Sequence, residues 1–257
     1  MIAIDQLCYS SRLRYENGEV KFAYAGLTLL VCVVSRQLPV SLVVLAVNYF
    51  LTVKKGGVPA RRYLHFMAVP LVFLLLSTLA IVLNIRRSPM DLFALPVGSF
   101  YITGSRAGLI YGANLVLTAL ASVSCLYFLA MTTPMPDILN TLRKLYCPAL
   151  LIELMLLIYR YIFVLLSTAH AIRVSQASRL GNRDYRHSLR SFGLMGSVLM
   201  VRAVTRSRAL YDSMEARCYD GVLRVLSETH PAKKSSVIKI AVFECLLVLL
   251  ALGGMLL

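Results

Sequence analysis

Arg179 and Arg217 are the residues of this chain whose setting points most clearly to chemistry, and that chemistry is binding, with no bond made or broken. Each closes a basic stretch of helical pattern. Residues 170–181 read HAIRVSQASRLG and residues 206–219 read RSRALYDSMEARCY. In both, a small residue (Ser178 or Ala216) precedes the arginine and a turn follows it, so the guanidinium projects past the end of its helix. Arginine's planar fork suits bidentate bonding to a carboxylate in a partner's groove. The competing reading is a cation settled at the negative end of a helix dipole. Arg202, Arg206 and Arg208 differ, because they lie off the apolar stripe of Leu189, Phe192, Gly196, Leu199, Ala203, Leu210 and Met214 and read as solvated charges.

Nothing else in the chain assembles a catalytic or metal site. No G-x-x-x-x-G-K-[ST] loop occurs to cradle nucleotide phosphates. His65, His170, His187 and His230 stand alone, and the six cysteines form no C-x-x-C pair, so a cobalt or nickel site built from imidazole or thiolate is not expected. Asp212, Glu215 and Asp220 gather without a second carboxylate cluster. No catalytic residue, metal or cofactor is therefore expected. Gly104, Gly108 and Gly112, spaced by four, would let helix backbones approach closely, either for internal packing or as a contact for another membrane protein.

The elements that carry these residues are apolar helices. Of 257 residues, 58% are hydrophobic, and mean hydropathy is +0.73. Several runs approach the roughly 20 residues a helix needs to cross a bilayer. The fold class expected is all-α: a polytopic integral membrane protein of about five transmembrane helices, with a coupling region of long helices outside the membrane. A transmembrane part covers residues 1–131, with spans near 20–35, 38–53, 64–83 and 105–131; a cytoplasmic part covers 132–236; a last span covers 237–257. Thr103 is placed to cap the fourth span. Within the cytoplasmic part, long helices are expected over 149–178 and 188–217.

The net charge of +15 fits positively charged cytoplasmic loops better than nucleic-acid binding. The placement of the cations, with Arg12, Arg14 and Lys21 at the start, Lys54, Lys55, Arg61 and Arg62 in the second loop and most of the rest in residues 132–236, puts the N-terminus and residues 132–236 inside and the C-terminus outside. Residues 149–168 are apolar enough to span but carry Glu153 and Arg160, which favours a helix partly submerged and packed on its neighbours.

At these residues the chain resembles a known family. Met214-Glu215-Ala216-Arg217-Cys218-Tyr219 resembles the second arginine signature of the transmembrane (T) component of energy-coupling-factor transporters, and Ser178-Arg179-Leu180 resembles the first. Tyr9-Ser10-Ser11-Arg12-Leu13-Arg14, followed by Lys21, is similar to the opening of the cobalt and nickel branch. Each signature in that family is typically Ala-Arg-Gly. Here Ser178 and Leu180 flank the first arginine and Cys218 replaces the glycine of the second, with both arginines kept.

The resemblance implies a non-catalytic coupling subunit of an ATP-driven uptake transporter, for cobalt, in a bacterial or archaeal plasma membrane. Its long helices would cross beneath the bilayer. Ser178, Arg179 and Leu180 would engage one ATP-binding-cassette ATPase subunit. Ala216, Arg217 and Cys218, supported by Met214 and Glu215, would engage a second. Motion would pass to a separate substrate-binding membrane subunit. The alternatives are a membrane enzyme whose basic face takes a phosphorylated or lipid substrate, and a self-sufficient permease.

Overall fold

The computed structural model describes residues 3–86, 93–97, 100–104, 106–221 and 234–256. Helices dominate: α1 (Ala3–Ser10), α2 (Gly18–Ser35), α3 (Leu38–Tyr49), α4 (Ala60–Val82), α5 (Arg106–Thr132), α6 (Met135–Lys144), α7 (Ala149–Ser178), α8 (Tyr185–Glu215) and α9 (Lys234–Leu256). This is the expected all-α polytopic membrane protein. Among the described residues, six helices are long and apolar enough to cross a membrane: Gly18–Ser35, Leu38–Lys55, Ala60–Leu79, Gly108–Thr132, Ala149–Ser178 and Lys234–Gly253.

The local signals explain where helices begin and end. Asn17 caps α2, its side-chain oxygen accepting from the Glu19 amide at 2.8 Å. Arg36, in left-handed conformation (φ 48°), ends α2, and Pro39 sits in the first turn of α3. α3 continues through one stretch of π-helix (Phe50–Lys55) before Gly56 and Gly57 turn the chain.

Among the described residues, β-strands lie between the third and fourth spans. β1 (Leu83–Arg86), β2 (Phe93–Val97) and β3 (Phe100–Gly104) pair antiparallel in the order β1-β3-β2. Pro96 lies on the edge strand β2, where a missing donor costs least. Two expectations are corrected here. Gly104 is the last residue of β3, opposite Leu83 and Phe93, and is not on the helix with Gly108 and Gly112. Thr103 is likewise a strand residue and caps nothing; Ser105 lies outside the described residues.

The chain divides into two compact units, residues 139–227 on the one hand and 2–138 with 228–257 on the other. In the second unit α5 is central, with α1, α2, α3 and α4 packed on it and α9 on α2. Cys32, Val40, Val44, Ala121, Cys125 and Leu247 form one apolar core there. Buried polar side chains set the register between these helices. The Tyr24 hydroxyl donates to Asn48 Oδ1 (2.9 Å), and Asn48 Nδ2 donates to Ser124 Oγ (2.8 Å), tying α2, α3 and α5. Thr28 Oγ1 lies 2.6 Å from Glu244 Oε1, tying α2 to α9. Interhelical polar bonds of this kind hold apolar helices in one arrangement where hydrophobicity alone cannot, since lipid is equally apolar.

Candidate functional site

Residues 139–227 carry both arginines. α7 ends at Ser178, and the chain leaves it through a left-handed residue, Leu180 (φ 56°). The Gly181 amide donates to the Gln176 carbonyl at 2.8 Å, and the Leu180 amide to that of Ala177 at 3.1 Å. α8 ends at Glu215, with Ala216 still helical in backbone, and Cys218 is left-handed (φ 57°). The Tyr219 amide donates to the Met214 carbonyl at 3.1 Å, and the Cys218 amide to that of Glu215 at 2.9 Å. Residue for residue these are the same two bonds, the six-to-one and five-to-two pair of a Schellman ending. Arg179 and Arg217 occupy the same place in it, directly before the left-handed residue.

The repetition explains the sequence pattern physically. A left-handed residue follows each arginine, and glycine takes that conformation without a Cβ penalty. Leu180 and Cys218 adopt it nevertheless. The small residue before each arginine, Ser178 or Ala216, leaves the last turn uncluttered; Ser178 folds its hydroxyl back on the Val174 carbonyl at 2.9 Å. Arg179, Arg217, Leu180 and Cys218 are all exposed, and neither arginine is in an ion pair with any described residue. The two guanidiniums are presented outward.

Each ending is tied to the other helix. At the first, Gln176 Nε2 donates to the Ser191 carbonyl (2.8 Å), and Ser191 Oγ donates to the Gly181 carbonyl (2.8 Å). A Cβ on Gly181 would lie 2.9 Å from both the Gln176 carbonyl oxygen and Ser191 Oγ, so this approach requires glycine. At the second, the Tyr219 hydroxyl donates to Glu153 Oε2 at 2.7 Å. That bond to a carboxylate raises the hydroxyl's pKa above its ordinary value. Glu153 itself is buried. α7 and α8 are thus antiparallel partners fastened at both ends. Glu153 and Ser178 are 25 residues apart on α7, so the two arginines sit about 38 Å from each other along the pair.

The structure brings Met214, Glu215, Ala216, Arg217 and Cys218 together as one ending, and Ser178, Arg179 and Leu180 as another. Met214 is half-buried and Glu215 exposed. It does not bring Gly104 to the glycine stripe; Gly112 is buried on α5 and Gly108 half-buried, which favours packing within the bundle. The expected stripe on α8 is only partly covered. Leu199, Ala203, Leu210 and Met214 are half-buried, but Leu189 and Phe192 are exposed. Gln176, Gly181, Ser191, Glu153 and Tyr219 were not foreseen as site residues, because their partners are distant in sequence. Glu153 was visible as an anomaly, a carboxylate in an apolar helix. Among the described residues no three His, Cys, Asp or Glu side chains gather to hold a metal ion.

Residues 10–230 match the family model of the cobalt transport protein CbiQ. The chain is 32% identical to the uncharacterized protein MJ1089 of Methanocaldococcus jannaschii, over 96% of this chain and 92% of that one. It is 29% identical to the cobalt transport protein CbiQ of Salmonella typhimurium, over 86% of this chain and 98% of the relative. It is also 29% identical to the putative fused cobalt transport protein CbiMQ of Methanocorpusculum labreanum, over 99% of this chain but 42% of that longer protein. With most of its length matched, and with both arginine endings inside the match, the chain belongs to the CbiQ cobalt transport protein family.

Proposed function

We propose that this protein is the non-catalytic membrane coupling subunit of an ATP-driven cobalt uptake transporter. Arg179 and Arg217 each anchor one ATP-binding-cassette ATPase subunit, and the α7–α8 pair carries the ATPases' movement to a substrate-binding membrane subunit. The observation that carries this reading is the pair of matched arginine endings, identical in backbone bonding and set at opposite ends of one fastened helix pair. Two equal grips about 38 Å apart suit two equal partners. The fused relative supports a second component, since in that protein a CbiQ-like segment is one part of a longer chain.

The same fastening favours a cytoplasmic α7 that does not cross the bilayer. α8 carries Arg186, Arg190, Arg202, Arg206 and Arg208, and so many exposed cations cannot sit in hydrocarbon. α7 is bonded to Ser191 of α8 near one end and to Tyr219, just beyond α8, near the other, so it lies where α8 lies. Five spans remain, with the N-terminus and residues 139–227 on the cytoplasmic side of a bacterial or archaeal plasma membrane.

The test compares Arg179→Ala, Arg217→Ala, the double variant and an Arg202→Ala control at equal expression, reading cobalt uptake and ATPase co-purification. A charge-assisted fork contributes roughly 1.5–3 kcal/mol, so each single variant should weaken ATPase retention by about tenfold or more. The remaining grip keeps partial assembly in the singles, and the double variant should lose both uptake and retention. A double variant that behaves like Arg202→Ala would show the arginines to be helix-end charges only.

A further inference from the structure

Among the helices of residues 2–138 and 228–257 lies a cavity of about 210 Å³ with a cationic mouth and apolar walls. Lys21, Lys55 and Lys239 line it, with Ser236 and one carboxylate, Glu16. Glu16 is already engaged, its Oε1 3.1 Å from Lys55 Nζ. Lys21 is only 4% exposed. Its ammonium donates to the Leu13 carbonyl (3.0 Å) and the Thr132 carbonyl (2.9 Å), which uses two of its three donors. Lys21 has a further counter-charge in Asp137, outside the lining, so with Glu16 engaged by Lys55 the surplus cation of the lining is Lys239.

Most of the rest of the lining is hydrocarbon, with Leu51, Phe128, Ile240 and Phe243 among it, beside the ring of Tyr24. The lysines also share a level. Lys21 lies in the first turn of the Gly18–Ser35 span, Lys55 closes the Leu38–Lys55 span, and Lys239 stands in the second turn of the Lys234–Gly253 span. The mouth therefore opens where three apolar spans meet one polar margin, and the walls run from there into the apolar layer.

We propose that this cavity is a binding site for an anionic phospholipid, with the phosphate against Lys55, Lys239 and Ser236 and an acyl chain along Leu51, Ile240 and Phe243. A free anion would leave the apolar walls against water, and a zwitterionic lipid would bring its own cation to a site already rich in ammonium groups. An anionic lipid satisfies both surfaces, as basic pockets between membrane helices do for acidic head groups.

The experiment is native mass spectrometry of the purified full-length protein, with phosphatidylglycerol and phosphatidylcholine of identical chains supplied at equal concentration. The expected result is at least about a fivefold excess of phosphatidylglycerol adduct. Lys239→Gln and Lys55→Gln should each cut that excess several-fold, while Lys54→Gln, an exposed neighbour that does not line the cavity, leaves it unchanged. Glu16→Gln should change it in the opposite direction and raise the adduct. Glycerol 3-phosphate, the head group without chains, should not displace the lipid. Equal adducts from the two lipids, equal losses from Lys54→Gln and Lys239→Gln, or displacement by glycerol 3-phosphate would each overturn the proposal.

Discussion

Leucine and cysteine are poor occupants of left-handed backbone, yet Leu180 and Cys218 hold it at matching positions after their arginines. In an L-residue this conformation costs about 1–2 kcal/mol. Leu180→Gly and Cys218→Gly should each raise stability, by up to about 1 kcal/mol after the extra chain entropy of glycine is set against the strain relieved. Thermal unfolding of the purified protein checks this. Gly181→Ala should do the reverse. Its Cβ would fall 2.9 Å from a backbone oxygen that cannot swing away, and overpacking of this kind costs about 1–3 kcal/mol. At this scale the arginines were legible from their small neighbours and the turn after them. The left-handed residue was not, because nothing about leucine or cysteine announces it.

At the scale of elements, α7 was legible almost to the residue. The run from Ala149 is uniformly apolar, and Pro148 precludes an earlier start. What the sequence concealed was how α7 and α8 hold each other. Tyr219 and Glu153 are 66 residues apart, beyond the reach of any local pattern. The same holds for Asn48 and its partner Ser124 within the bundle. The expectation that follows concerns the second ending alone. Tyr219→Phe removes the hydroxyl that Glu153 accepts, so amide hydrogen exchange should quicken across residues 214–219. Residues 176–181, held by Gln176 and Ser191, should keep their protection. The bond has a pH sense as well. The tyrosine's pKa is raised in the folded state, so its contribution is fully present below the unfolded tyrosine's value and is lost as pH climbs through the raised one. Exchange in the wild-type ending should therefore be insensitive to this group at neutral pH and quicken only in alkali. Uniform quickening at both endings of Tyr219→Phe would mean that the pair behaves as one unit without a separate second fastening.

For the whole molecule, hydropathy and fastening give different numbers of crossings. The most apolar 18-residue stretches of α7 and α9 have nearly equal mean hydropathy, 2.2 and 2.3. Apolarity alone would make both span, giving six crossings with the two termini on one side. On the proposed coupling reading, α7 stays with the arginine-rich α8 on the cytoplasmic side, which leaves five crossings. This is why composition could place the chain in a membrane but could not count its crossings: α7 leaves Leu150, Leu154, Ile158 and Leu166 exposed, and a helix whose apolar face a partner covers has the same composition as one that lipid covers. Single cysteines in a cysteine-free background distinguish the two. If α7 lies with α8, cysteines at Leu150, Ser178 and Ser213 should all be labelled by an impermeant reagent from the cytoplasmic side only, and one added after Leu257 from the opposite side only. Leu150 is exposed at one end of α7, and Ser178 is exposed at the other. A spanning α7 would put those two on opposite faces of the membrane, and labelling from opposite sides would remove the basis for two arginine grips acting on the same side.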